Sequence, residues 1–405
     1  MDTFVARAVR RMPMSRHSRS MDRRRGLHAG ALVVAATLSL SACATTPGTT
    51  ATPSETASPD ARAWVQFDDF PLEPRDQPAA AWTGSELLVL GGSTGPPCPP
   101  NAYCIAGDPV ADGAALDPET GTWRAIADAP MGLPSPTAVT VGDLVYVTST
   151  LIADEQTLLS YDPAADTWAT VDAPLEVGHL LVADGDDLLL VSASDEYGGV
   201  PDLVLDGATG EWTELPADPI GDAFNRMLTP TTHGLVLTAH DLVDNPGADG
   251  PSLTLAALFD RETQTWTRLP DTEQIADWPW AVNGDRLIAP SLGGADGGEI
   301  GNWGRVYPNG GVITLPDGAW EPLPNLPTGN HQPGLADAVG THLSVASGYL
   351  YDDDARTWEP LPPVDDIPDV VRTTAWMGDR LLAFGGTAWN NRDGERLRSV
   401  WMLTP

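Results

Sequence analysis

The chain has 405 residues, and Gly (40) and Pro (38) make up nearly a fifth of it, which disfavours long helices and favours short strands joined by turns. Its formal net charge is −34 with no lysine, and beyond Cys43 only 14 basic residues face 54 acidic ones. A field of that sign repels nucleic acid and anionic lipid head groups, so neither is expected as a partner.

In chain order, Arg23 to Arg25 form a charged head and Ala29 to Leu40 an apolar core too short to span a bilayer; Leu40-Ser41-Ala42-Cys43 follows. These last four residues resemble a bacterial lipobox, which implies a diacylated Cys43 with cleavage before it. The alternative is an ordinary secretory signal cut near Ala42 or Ala44. Met21-Asp22-Arg23 offers a compact start, so the first 20 residues read as an over-long start or an extended head; Arg24-Arg25-Gly26-Leu27 weakly resembles a twin-arginine signal. Ala44 to Pro59 is almost wholly Ala, Thr, Pro, Ser and Gly, too poor in apolar side chains to offset chain entropy. The expected organisation is a signal peptide over residues 1–42, a disordered tether over 43–60 and one folded domain over 61–405. The expected location is the extracytoplasmic side of the cell membrane, as a lipid-anchored monomer.

Cys98 and Cys104 close a short loop, and an exported compartment permits their disulfide. Zinc needs more ligands than these two. Asp186-Asp187 and Asp352-Asp353-Asp354 lack the ligand spacing of a calcium loop, so no metal or other cofactor is expected.

From there the chain repeats. Gly84, Gly142, Gly185, Gly234, Gly284, Gly340 and Gly378 each precede or open a short apolar strand. An Asp stands six positions before a Trp as Asp117 and Trp123, Asp162 and Trp168, Asp206 and Trp212, Asp260 and Trp266, and Asp352 and Trp358; Asp317 with Trp320 reads as a shortened copy. The interval fits a hairpin in which the carboxylate accepts turn N–H groups. Each unit is therefore a four-stranded meander: a before the glycine, b after it, c ending at the Asp, and d carrying the Trp. Burying each Trp between sheets would contribute about 4–6 kcal/mol of gross apolar transfer. Radial packing of such sheets covers their faces and leaves only short edges, so an all-β, seven-bladed β-propeller with antiparallel blades is expected.

The pattern resembles the kelch repeat across residues 61–405. Gly91-Gly92 and Gly385-Gly386 end strand b, and Tyr161 and Tyr351 lie seven positions before a Trp. Elsewhere Thr148-Ser149, Ser192-Ala193 and Thr238-Ala239 stand for glycine pairs, and Leu116, Leu205 and Phe259 for Tyr. Asp117-Pro-Glu-Thr-Gly-Thr-Trp123 reaches its Trp two residues too soon for the quinoprotein tryptophan motif and lacks the order of a sialidase Asp-box. Arg62 to Phe67 looks like a strand d alone, and Arg372 to Leu403 like a, b and c without d, so the two are expected to complete one blade and close the ring.

In such a ring the b–c and d–a connections share one face, and here they carry the length variation, in Gly92–Gly113, His240–Ser252, Ser291–Gly311 and Gly386–Leu397. Residues entering the strands a should ring the channel mouth: Gln77, Ser135, His179, Arg226, Trp278, Trp280, His331 and Arg372. Among these, His179, Arg226, Trp278, Trp280, His331 and Arg372 are the candidate ligand residues. Guanidinium groups suit a carboxylate or sugar hydroxyls, and Trp278, Trp280, Trp303 and Trp389 offer stacking faces. The resemblance also brings in copper-radical galactose oxidases, whose site needs two Tyr and two His with one Tyr cross-linked to a Cys, a set this chain does not match. The sequence thus points to a binding module for protein or carbohydrate at the cell surface rather than to an enzyme. The alternatives are a non-copper carbohydrate-active enzyme at the channel mouth and a structural spacer.

Overall fold

The computed structural model describes residues 63–99, 107–149, 157–175, 178–195, 199–242, 251–276, 279–290, 310–327, 335–364, 370–390 and 393–404. Among them every regular element is a β-strand, in seven four-stranded antiparallel sheets and two short hairpins. Blade 1 runs a to d as Ala79–Trp82, Leu87–Leu90, Gly113–Asp117 and Thr122–Ala125; blade 2 as Pro136–Val141, Leu144–Ser149, Leu158–Asp162 and Thr167–Val171. Blade 3 is His179–Asp184, Asp187–Ser192, Leu203–Leu205 and Trp212–Glu214; blade 4 is Ala223–Thr231, Gly234–Asp241, Thr254–Asp260 and Thr265–Arg268. Blade 5 is Ala281–Asn283, Arg286–Ala289, Gly311–Thr314 and Ala319–Pro322; blade 6 is Ala338–Val339, Leu343–Ala346, Tyr349–Asp352 and Thr357–Pro360. Blade 7 is Thr373–Met377, Arg380–Phe384 and Val400–Leu403, completed by Val65–Gln66 from the start of the domain.

Burial follows the composition of each strand. Strands b read as unbroken apolar runs such as Leu87–Leu90 and are covered on both faces; strands d alternate with polar residues and stay largely exposed. Strands a are half-buried, and those of blades 6, 7, 1, 2, 3 and 4 touch in that order, as the innermost strands around an axis do. At the a–b turns Gly142 (φ +56°) and Gly185 (φ +63°) supply the left-handed backbone that a two-residue hairpin requires.

The c–d turns bear out the acidic hairpin. Asp117 Oδ1 accepts the Glu119 amide at 2.8 Å, and Asp162, Asp206 and Asp260 each accept two amides at 2.7–3.0 Å; Asp352 accepts that of Ala355 at 3.0 Å. These backbone donors hold the Asp117, Asp206 and Asp260 carboxyls below their ordinary pKa. Blade 5 differs from the sequence expectation. Thr314 pairs with Ala319 and Ile313 with Trp320, so Thr314, six positions before the Trp, takes the Asp position, the turn has full length, and Asp317 lies inside it.

The tryptophans of strand d join the blades. Each donates its indole N–H to a backbone carbonyl just past strand d of the preceding blade: Trp123 to Asp68 (3.1 Å), Trp168 to Ala127 (2.8 Å), Trp212 to Asp172 (3.0 Å) and Trp266 to Pro216 (2.7 Å). Trp320 donates to Pro270 (2.9 Å), Trp358 to Pro324 (2.8 Å) and Trp64 to Pro362 (2.9 Å), which completes the circuit. Tyr161, Phe259 and Tyr351 on strand c meet the indoles of Trp168, Trp266 and Trp358 at centroid distances of 4.8–5.0 Å. Full burial between sheets, the sequence expectation, holds only for Trp358, at 7% exposure; the other six are half-buried on the outer strand. Their transfer term is correspondingly smaller, and a ring contact of about 0.5–1.5 kcal/mol and a hydrogen bond of about 1 kcal/mol stand beside it.

The terminal strand closes the ring as expected. Val65 pairs with Met402 and Gln66 with Trp401, and the Phe67 and Phe70 amides donate to Val400 and Arg398 at 2.9 and 2.8 Å.

Deleting residues 61–68 removes the outer strand of blade 7 together with Trp64, one link of the circuit, and the acceptor of Trp123. The expected result is one cooperative melting transition at lower temperature for the whole domain, read by calorimetry; a truncated chain melting like the intact one contradicts this closure. For the turns, the carboxylate contribution is present above the unfolded Asp pKa of about 3.9 and lost as pH falls through the depressed folded values. Asp260→Ala should therefore lower Tm at pH 7, and the loss should shrink as the pH falls below the ordinary carboxyl range, read by calorimetry across that series.

Candidate functional site

A meander places the a–b and c–d turns on one side and the b–c and d–a connections on the other. The first set is short and uniform; the second ranges from the two-residue turn Ser347–Gly348 in blade 6 to the segment between Leu90 and Gly113 in blade 1. Two long b–c connections fold into hairpins of their own, Ser93–Thr94 with Asp108–Pro109 in blade 1 and Thr387–Asn390 with Asp393–Arg396 in blade 7. They stand side by side above the joint that closes the ring. Arg396 crosses between them, its guanidinium donating to both oxygens of Asp76 and to the Gly95 carbonyl. A side chain at Gly394 would collide with Pro97 and Trp389, so the two hairpins touch there. Arg75 holds the base: it donates to Asp112 Oδ1 at 2.6 Å and to the Gly91 carbonyl at 3.3 Å, and lies 5.2 Å over the Phe70 ring.

The predicted mouth residues divide. Gln77 and Ser135 enter strands a of blades 1 and 2 in left-handed backbone, and Ser135 Oγ donates to Gln77 Oε1 at 2.6 Å. Arg226 sits at a bulge in strand a of blade 4, 4% exposed. Its guanidinium donates to Asp202 (2.9 Å), Asp218 (3.0 Å) and the Ser192 carbonyl (3.0 Å), with Asp195 at 3.6 Å. Burial works against the Arg226 charge, and the carboxylates of Asp202, Asp218 and Asp195 outweigh it and hold its pKa above the usual value. Burial pushes the Asp202 carboxyl up, against the pull of Arg226 and the Ser192 amide. Arg372, 2% exposed, precedes strand a of blade 7 and reaches the Val370 carbonyl at 3.4 Å. Trp280 is 6% exposed and packs edge-on against Trp320 of its own blade, so its faces are in the core. Trp278, Trp303 and His331 lie outside the described residues, as do Cys43 and Cys104; Cys98 follows the first strand of the blade 1 hairpin, in the segment that joins its two strands.

His179 is placed differently. It opens strand a of blade 3 and closes the inner end of a cleft of about 220 Å3, lined further by Pro174, Pro201, Leu203, Trp212, Thr213 and Glu214. Its Nε2 lies 3.3 Å from the Pro201 carbonyl oxygen. Sequence reading selected His179 but neither Trp212 nor Glu214 as its neighbours, because their meeting depends on how the inner and outer strands of blade 3 are brought together. It also passed over Arg75, Asp76 and Arg396, whose signal was arginine inside or beside long insertions of a lysine-free chain.

Because Arg226 lies between the buried carboxylate of Asp202 and the half-buried ones of Asp195 and Asp218, Arg226→Met should destabilise the fold by about 3–5 kcal/mol at pH 7. The loss should shrink at pH 5, because burial holds the Asp202 carboxyl above its ordinary pKa and favours its neutral form. The stability tied to the raised carboxyl of Asp202 is present below its unfolded pKa and lost as pH rises through the folded one, so Asp202→Asn should cost less than Arg226→Met at pH 7. Denaturant unfolding of both variants at the two pH values checks the sign.

No protein-family model matches the chain. By sequence it is similar to Kelch-like protein terF of Aspergillus terreus, at 24% identity, over 60% of this chain and 62% of that protein. The chain thus spans less than two thirds of that relative's length.

Proposed function

The seven glycine- and tryptophan-marked blades make this chain a kelch-repeat β-propeller, and from that premise we propose that it is an envelope-anchored binding module that engages a protein or glycan through its loop face. Kelch propellers generally bind proteins, and function lies in the loops that such a scaffold carries. The observation that supports the reading is the pair of hairpins above the closing joint: length is added on one face only, and it is ordered by Arg396, Asp76 and Arg75. Ordering a surface before it binds lowers the entropic cost of association. The anchor in this proposal is a diacylated Cys43 with the tether of residues 43–60, and a Cys98–Cys104 disulfide stiffens the blade 1 hairpin.

The full chain, carrying a photo-crosslinking residue at Asn390 on the loop face or at Thr209 on the opposite side, tests this in intact producing cells. A discrete adduct from position 390 and none from 209 is expected. Equal adducts from both positions, or none from either combined with no signal on a glycan array, contradict the reading.

A further inference from the structure

Five of the seven outer tryptophans meet another ring. Tyr161, Phe259 and Tyr351 cover Trp168, Trp266 and Trp358 from strand c, while Phe70 and Trp280 reach Trp123 and Trp320 edge-on at 5.3 and 6.3 Å. In blade 3 the residue paired with Trp212 is Leu205, and beside this indole the structure opens the cleft that ends at His179. The indole is fixed by its bond to the Asp172 carbonyl, so the exposed part of its ring is a rigid wall. Acceptors stand at its two ends: the Pro201 carbonyl, which His179 Nε2 meets at 3.3 Å, lies inside, and the exposed Glu214 stands at the solvent rim.

We propose that this cleft is a subsite for one pyranose ring of a neutral or amino-sugar glycan, stacked on the exposed part of the Trp212 indole. Size favours a single ring, because about 220 Å3 falls below the roughly 300–1,000 Å3 of sites for drug-sized ligands. A sugar presents both an apolar face for the indole and hydroxyls for the two polar ends. Charge sets the sign: Glu214 at the rim and a chain of net charge −34 repel uronic and sialic acids. The subsite deepens the loop-face reading, since His179 enters its strand from that face. It lies between blades 2 and 3 and includes none of the hairpin residues.

Ligand-observed NMR on the full chain tests it with methyl β-glucopyranoside, glucosamine, glucuronic acid and prolinamide as probes. The glucoside or glucosamine should bind with a Kd on the order of 1 mM, and glucuronic acid at least tenfold more weakly. Leu203→Phe, which puts a ring into the cleft, should abolish binding without lowering Tm. Glu214→Ala, at an exposed position, should weaken it roughly threefold to tenfold through loss of one acceptor. Absence of glycoside binding, binding unchanged in both variants, or preference for prolinamide overturns the proposal. If that happens while position 390 still crosslinks, only the cleft is lost; if crosslinking fails while the glycoside binds, the loop-face partner is lost and the subsite stands.

Discussion

A carbonyl that its own sheet cannot use, captured by the indole of the next blade, is the interaction on which this ring depends. Four blades leave strand d through the same words, Trp-Thr-Glu-Leu-Pro216, Trp-Thr-Arg-Leu-Pro270, Trp-Glu-Pro-Leu-Pro324 and Trp-Glu-Pro-Leu-Pro362. The leucine adds one more rung to strand c, as when Leu269 donates to Ala256 at 2.9 Å. Proline then ends the ladder because it has no N–H to offer. Its carbonyl remains at the joint, and the following tryptophan takes it. Blade 1 reaches the same result without proline: the Ala127 amide donates to Asp166 at 2.8 Å while its carbonyl accepts Trp168. Tyr161 donates to that same Asp166 at 2.7 Å, its hydroxyl pushed up to about 12 chiefly by burial, so that it remains a donor at any physiological pH.

Charge is organised around the same joints. Arginines tie segments distant in sequence: Arg286 to Asp353 and Glu321, Arg261 to Asp184, Arg380 to Glu119 and Arg396 to Asp76. With basic groups so engaged, the many remaining carboxylates give the exterior its sign. A surface of that sign repels anionic groups and favours solubility.

Much of the architecture was legible because it rests on local rules. A glycine at each a–b turn, an Asp whose carboxylate caps the c–d turn, and a solitary Trp-bearing strand at the domain's start are short-range signals, and they placed seven blades and their closure. The Leu-Pro exits are equally visible, but a proline after a strand looks like a terminator until its carbonyl is seen in use. Asp317 misleads for a related reason: an acid near a Trp resembles the cap, although Thr314 holds that register. The functional face was legible only as insertions. Asp195 and Asp202 from the b–c connection of blade 3 and Asp218 from the following d–a connection meet at Arg226, and Pro174, Pro201 and Trp212 come to His179 from three different segments; no spacing encodes such meetings. Nor do Ser93–Thr94 and Asp108–Pro109 carry a strand pattern, being too short for alternation to show.

Hydrogen exchange of the indole N–H groups, followed by NMR on the uniformly labelled chain, addresses the circuit itself. If the seven outer tryptophans hold the ring together as one unit, their indole protons should exchange at a common slow rate that matches global unfolding and shifts together with denaturant. Rapid or unequal exchange among Trp64, Trp123, Trp168, Trp212, Trp266, Trp320 and Trp358 in the folded protein would show that the blades are joined by something else.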